Sequence, residues 1–145
     1  MNNKKLTIIG ILLLVLSAGS ALTAAAQVTT NQAALKTIRF VEPKVTTKWT
    51  LGTQALVHFE AVNVTSPGYW VKLLKGEQVL GNLAYVITGP GPDSGIIKVS
   101  FTCGKLLQGL TYGAGNNYRV EVSTEDGSFK KRSNYFSVVA LPIPK

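Results

Sequence analysis

The stretch NYRVEVS, Asn117–Ser123, decides the fold class. Tyr118, Val120 and Val122 take every second position, with Arg119 and Glu121 between them. Side chains along a strand point alternately to opposite faces, so this pattern gives one dry face and one wet face. Wound at 3.6 residues per turn, the same residues would scatter around a helix. The TEDG turn follows at Thr124–Gly127, where Gly127 tolerates a positive φ and supplies a tight reversal. Upstream, QALVHFEA (Gln54–Ala61) repeats the pattern, with Ala55, Val57, Phe59 and Ala61 opposed to Gln54, His58 and Glu60. Leu56 is its one apolar residue on the outward side.

Outward from these two segments the period stays at two. LKTIRFV (Leu35–Val41) opens the set, and YWVKLLK (Tyr69–Lys75) follows, with Tyr69, Val71 and Leu73 opposed to Trp70, Lys72 and Leu74. Next come VLGNLAYVI (Val79–Ile87), with Gly81 marking a bend or bulge, and IIKVSFT (Ile96–Thr102). NYFSVV (Asn134–Val139) closes it. The prolines of TGPGPDSG (Thr88–Gly95) make that stretch a loop, and Asp93 a turn residue. About seven short strands joined by short turns predict an all-β antiparallel sandwich of two facing sheets. A small closed barrel is the alternative architecture. No internal repeat is present, which argues against solenoids and propellers.

The first 26 residues follow other rules. Lys4 and Lys5 precede the apolar run Leu6–Leu16, and small residues lead to Ala24-Ala25-Ala26. A basic start, an apolar centre and an A-x-A exit are the marks of a signal peptide. A retained N-terminal anchor is the second reading of the same residues. Residues 27–34 form a polar lead-in, 35–140 the sandwich and 141–145 a short tail. The whole chain has 145 residues with 15 Lys+Arg and 7 Asp+Glu, a net charge of +8. Without residues 1–26, and so without Lys4 and Lys5, 119 residues remain at net +6. That length suits one domain with one core, and a single cysteine excludes an internal disulfide framework.

Five segments together resemble a known family. They are IRFVEP (Ile38–Pro43), WTLGTQALVHF (Trp49–Phe59), VKLLKG (Val71–Gly76), LLQGLTYGAGNNYRVEV (Leu106–Val122) and SNYFSV (Ser133–Val138). In this order they resemble the immunoglobulin-like domain of the Ser/Thr-rich glycosylphosphatidylinositol-anchored membrane protein family. That domain is similar to the N-terminal region of yeast cell-wall beta-1,6-glucan synthesis proteins. The resemblance implies an immunoglobulin-like sandwich in which Pro43, Trp49, Gly52, Tyr118 and Phe136 are structural. It carries over no catalytic constellation. The chain departs from the family in reading KVTTK between Pro43 and Trp49, where a Gly is common, and in lacking a Ser/Thr-rich tail and lipid-anchor signal. Those departures favour a stand-alone secreted or surface module over fungal wall anchoring.

Chemistry-bearing residues are few. Acid–base hydrolysis needs two placed carboxylates, and after the leader the chain offers only Glu42, Glu60, Glu77, Asp93, Glu121, Glu125 and Asp126. His58 is the sole imidazole, strand phase turns it outward, and no second His or nearby Cys supplies metal spacing. No catalytic, cofactor or metal residue is assigned, and no cofactor is expected. Cys103 is read either as a thiol buried at a strand end or as half of an intermolecular disulfide. Asn63-Val64-Thr65 is a glycosylation acceptor where the host uses that pathway. Candidate ligand contacts are Trp70 on a strand face, Tyr112 and Asn116 on loop tips, and the basic run Lys130-Lys131-Arg132.

These features predict a non-enzymatic, secreted or cell-surface adhesion module with cell-envelope polysaccharide or a surface protein as partner. Nucleic acid is not expected, and a membrane enters only if the leader is retained. Self-association into a filament or surface layer is the alternative, with LKTIRFV and the lead-in adding a strand to a neighbour's sheet. A small carbohydrate-active enzyme is the disfavoured third reading.

Overall fold

The computed structural model describes residues 35–89 and 94–144. The leader, the lead-in, Asp93 with the centre of the 88–95 loop, and Lys145 lie outside the described residues. The regular structure in the described part is all strand. Nine strands run β1 (Thr37–Glu42), β2 (Lys48–Thr50), β3 (Gln54–Val62), β4 (Gly68–Lys75), β5 (Gln78–Ile87), β6 (Ser94–Thr102), β7 (Gly115–Thr124), β8 (Lys130–Arg132) and β9 (Phe136–Val139). All seven expected strands are present. The two additional ones, β2 and β8, hold three residues each, too short for an alternation to register.

One sheet has the order β1-β3-β6 and the other β2-β9-β7-β4-β5, with β8 also paired to β7. In immunoglobulin terms β1, β3 and β6 take the places A, B and E, while β9, β7, β4 and β5 take G, F, C and C′. The fold is an immunoglobulin-like sandwich. The pairings are antiparallel except β2 with β9, which is parallel, a departure from the purely antiparallel expectation. Thr37–Phe40 of the LKTIRFV segment pairs with β3 in its own sheet, so donating it to a neighbour would require leaving that ladder.

The two dry faces meet as the alternation dictates. Val57, Phe59, Val71, Leu73, Val120 and Val122 are all fully buried between the sheets. Trp49 is 5% exposed, with the Phe101 ring at 5.0 Å and the Phe136 ring at 4.2 Å from its own. The turn after it passes through Gly52 at φ 78, a left-handed conformation that glycine adopts without a Cβ clash. Pro43 is buried and follows a cis peptide bond. Tyr118 and Phe136 are buried with them, so of the five residues four lie in the interior and Gly52 in a turn.

Tyr118 makes the corner that immunoglobulin domains build at the start of strand F. Its hydroxyl donates to the carbonyl of Gly113, five residues upstream, at 2.7 Å. Two residues later, where antibody domains place a disulfide cysteine, stands Val120, buried in the apolar core. Apolar packing fills the place of the staple.

Residues 103–114 connect β6 to β7 and fold back onto the β4–β5 hairpin. The Leu107 amide donates to the Asn82 carbonyl at 2.8 Å, and the Asn82 amide donates to Gln108 Oε1 at 3.3 Å. Gly81 permits this approach, since a Cβ there would come within 2.9 Å of Leu106 Cδ1. The register of β4 against β5 shifts twice beside it. The bend expected at Gly81 is thus the seat of a connecting loop.

Candidate functional site

Residues paired across a ladder share a face, and this rule assembles a site on the outer side of the larger sheet. Trp70 lies opposite Tyr85 on β5 and opposite Ser123 on β7, and Ser123 lies opposite Lys130 on β8. The next row along the same face is Asn82, Lys72, Glu121 and Arg132. The Trp70 and Tyr85 rings sit 4.5 Å apart at 42°, both half-buried. Burial, then the hydrogen bond that its hydroxyl donates to the Glu125 carboxylate, raises the pKa of the Tyr85 phenol. The phenol proton is thus directed at Glu125, beside the aromatic surface.

An ion-pair cluster borders this platform. Arg132 Nε donates to Glu121 Oε2 at 2.8 Å, and its Nη1 grips Glu77. Arg119 Nη1 donates to the other Glu77 oxygen at 2.9 Å, while the Arg119 guanidinium carbon lies 4.5 Å from the centroid of the Tyr135 ring. The hydrogen bond from Arg132 is the first cause holding the Glu77 carboxyl below the ordinary range. Glu121, with its side chain 6% exposed, raises the Arg132 pKa in return. Leu74, opposite Arg119 in register, is fully buried on this side although it is no part of the core between the sheets.

A second concavity lies at the end of the sandwich where the 103–114 connection meets the β4–β5 turn. It has a volume of about 310 Å³ and is lined by Lys75, Leu80, Leu106, Leu110, Thr111, Tyr112, Gly113 and Tyr118. Lys75 Nζ stands 5.4 Å from the centroid of the Tyr118 ring. Tyr112 turns its hydroxyl away from solvent toward Cys103 Sγ at 3.7 Å, and burial pushes its pKa well up.

The structure therefore separates the candidate contacts. Trp70, Lys130 and Arg132 share the outer face; Arg132 is engaged by two carboxylates, whereas Trp70 and Lys130 are offered to solvent. Lys131, opposite Val122, belongs to the other side of the sheet and is exposed at its edge. Tyr112 belongs to the end cavity rather than to a free loop tip. Asn116 is exposed and accepts from Ser137 Oγ at 2.8 Å, away from both sites. Asn63 donates to the Leu35 carbonyl at 3.2 Å.

Cys103 is 1% exposed, a thiol enclosed at the strand end, where burial raises its pKa; this favours the buried reading over the intermolecular disulfide. His58 lies outward as strand phase predicts, between Glu42 and Lys98 in register, yet its Nε2 is enclosed. Among the described residues no three His, Cys, Asp or Glu gather into a metal-binding group. Tyr85, Lys72 and Lys75 are residues that sequence reasoning missed. Only the ladder register reveals Tyr85 as the partner of Trp70, and two bulges intervene in that ladder.

No family model matches the chain, and no curated protein matches it. Among solved structures it is similar to part of a beta-glucosidase from Listeria innocua in complex with glucose. The likeness has 13% identity and a TM-score of 0.44, and spans 73% of this chain but 16% of that one. It is also similar to a chain from the structure explaining T cell specificity and activation by the bacterial superantigen toxic shock syndrome toxin-1. There the identity is 10% and the TM-score 0.42, over 74% of this chain and 100% of that one. Likenesses this distant carry no functional argument.

Proposed function

We propose that the chain is a non-enzymatic, secreted or cell-surface adhesion module that holds cell-envelope carbohydrate, with a preference for acidic polymers, on the outer face of its larger sheet. The Trp70–Tyr85 ring pair carries this reading. Paired rings on an outer sheet face offer apolar area to the flat side of a sugar, with the Tyr85 phenol oxygen beside it to accept from a sugar hydroxyl. Lys72 and Lys130, in the same two rows, supply attraction for carboxylates along a polymer, and the excess of basic residues extends it over longer range. The leader supports export.

A non-catalytic role is supported by the state of the carboxylates on that face. Glu77 and Glu121 are both tied to Arg132, which leaves neither as an unengaged acid or base. The filament reading has less support, because the strand it would donate is committed to β3.

Calorimetry of the chain without residues 1–26, against acidic and neutral envelope polysaccharides, tests the proposal. Saturable binding is expected, weaker at high salt, and reduced roughly tenfold or more by Trp70→Ala. Unchanged affinity in that variant, or no saturation with any envelope fraction, overturns it.

A further inference from the structure

We infer that the end cavity is a second, separate binding site, for a small amphipathic carboxylate: an aryl or short acyl group bearing one carboxylate. Its volume of about 310 Å³ lies at the small end of ligand-binding cavities, which suits a single ring or a short chain. Leu80, Leu106 and Leu110 give it an aliphatic wall, and the Tyr112 and Tyr118 rings an aromatic one. Both phenol hydroxyls are already engaged, Tyr118 with the Gly113 carbonyl and Tyr112 with Cys103 Sγ, so these rings contribute chiefly apolar surface.

One full charge remains in the lining. Lys75 is exposed and forms no ion pair among the described residues, although Glu77 is only two positions away and binds Arg119 and Arg132 instead. The Tyr118 ring face steadies the ammonium at the cavity wall. A cation without a carboxylate beside apolar walls selects a ligand that carries the carboxylate and buries a hydrocarbon body.

The cavity is also built on rigid parts. Lys75 ends β4, Tyr118 is fixed at its corner, and the 103–114 connection is pinned to the β4–β5 hairpin through Asn82 and Leu106. A preformed wall loses little ordering entropy when a ligand enters. The site does not touch the Trp70 face, so it stands whether or not that face binds carbohydrate.

Amide NMR of the labelled chain without residues 1–26 provides the test, using 3-phenylpropionate, its neutral amide, and N-acetyl-leucine. The first acid represents a free small carboxylate, and the last a peptide-type C-terminal carboxylate. At least one acid should give saturable shifts centred on Lys75, Thr111 and Gly113, with the amide at least roughly tenfold weaker. Lys75→Gln, at an exposed position, should weaken the acid to the level of the amide. Lys98→Gln, which removes one charge from the opposite sheet, should leave it within about twofold. Leu110→Asp, also at an exposed position, should abolish the shifts while the remaining spectrum stays native. Equal binding of acid and amide, undiminished binding by Lys75→Gln, or no saturation up to about 10 mM overturns the inference.

Discussion

Trp49 and Trp70 carry the same side chain into opposite environments, the interior between the sheets and the outer face of one of them. Trp49 closes the core against Phe101 and Phe136, on a strand of three residues that leans on β9. Trp70 projects from near the start of β4, an interior strand of its sheet, where Tyr69 and Val71 take the core side, and its ring packs against the half-exposed Tyr85. An indole does not become structural or available by its own nature. Strand phase assigns the side, and the layer covering that side assigns the role. Around Trp49 the neighbours are apolar and leave no room for a ligand. Around Trp70 stand Tyr85, Ser123 and, one row on, Lys72, Glu121 and Arg132. Of these, Glu121 and Arg132 pair with each other, so the aromatic surface is left half-exposed beside polar neighbours.

The sharpest way to break this comparison is to delete both rings. Trp49→Ala should lower unfolding stability by about 3–5 kcal/mol, read as a shift of the urea midpoint. A loss below about 1 kcal/mol would mean the interior repacks and the two regions are less different than described. Tyr118→Phe removes only the corner hydroxyl from the same interior. It should cost about 0.5–1.5 kcal/mol in the same titration, with the fold otherwise intact by circular dichroism.

Trp70→Ala should change stability by less than about 1 kcal/mol while removing the polysaccharide binding proposed above. If it destabilised the chain as much as is expected of Trp49→Ala, the outer face would be a second core. The weakest expected effect is that of pH on exposed carboxylates. Thr124 and Ser128 hold the Asp126 carboxyl at about 2, below its ordinary 3.8, and Arg132 first among its neighbours lowers that of Glu77. A carboxyl depressed in the folded state stabilises it above the unfolded pKa. For Asp126 this contribution is lost as pH falls from about 4 toward 2. Urea midpoints measured against pH should therefore decline on acidification with a shallower slope in Asp126→Asn and Glu77→Gln. Identical slopes would show that these contacts do not hold in solution.

Much of the fold was legible because alternation is a local property. Seven strands, the core side of Tyr69, Val71, Val120 and Val122, and the outward place of Leu56 and His58 all follow from neighbours along the chain. β2 and β8 were not legible, since three residues hold too little pattern and become strands only because β9 and β7 offer them an edge. The candidate site was legible in pieces. Trp70 and the basic run were visible as residue types, but Tyr112 looked like a loop tip and proved to be a cavity wall. Cys103 left two readings open in the sequence, and its surroundings enclose it.

What the sequence alone determined is thus the side on which each strand residue lies, because φ/ψ sterics and the hydrophobic effect act on every short segment separately. What only the tertiary structure decided is which residues meet across strands. Trp70 faces Tyr85, Arg132 is shared by Glu77 and Glu121, and Lys75 has no carboxylate partner among the described residues. Register is the reason: bulges beside Gly81 and the packing of the 103–114 connection set it through contacts between segments far apart in the chain, and no local pattern records them.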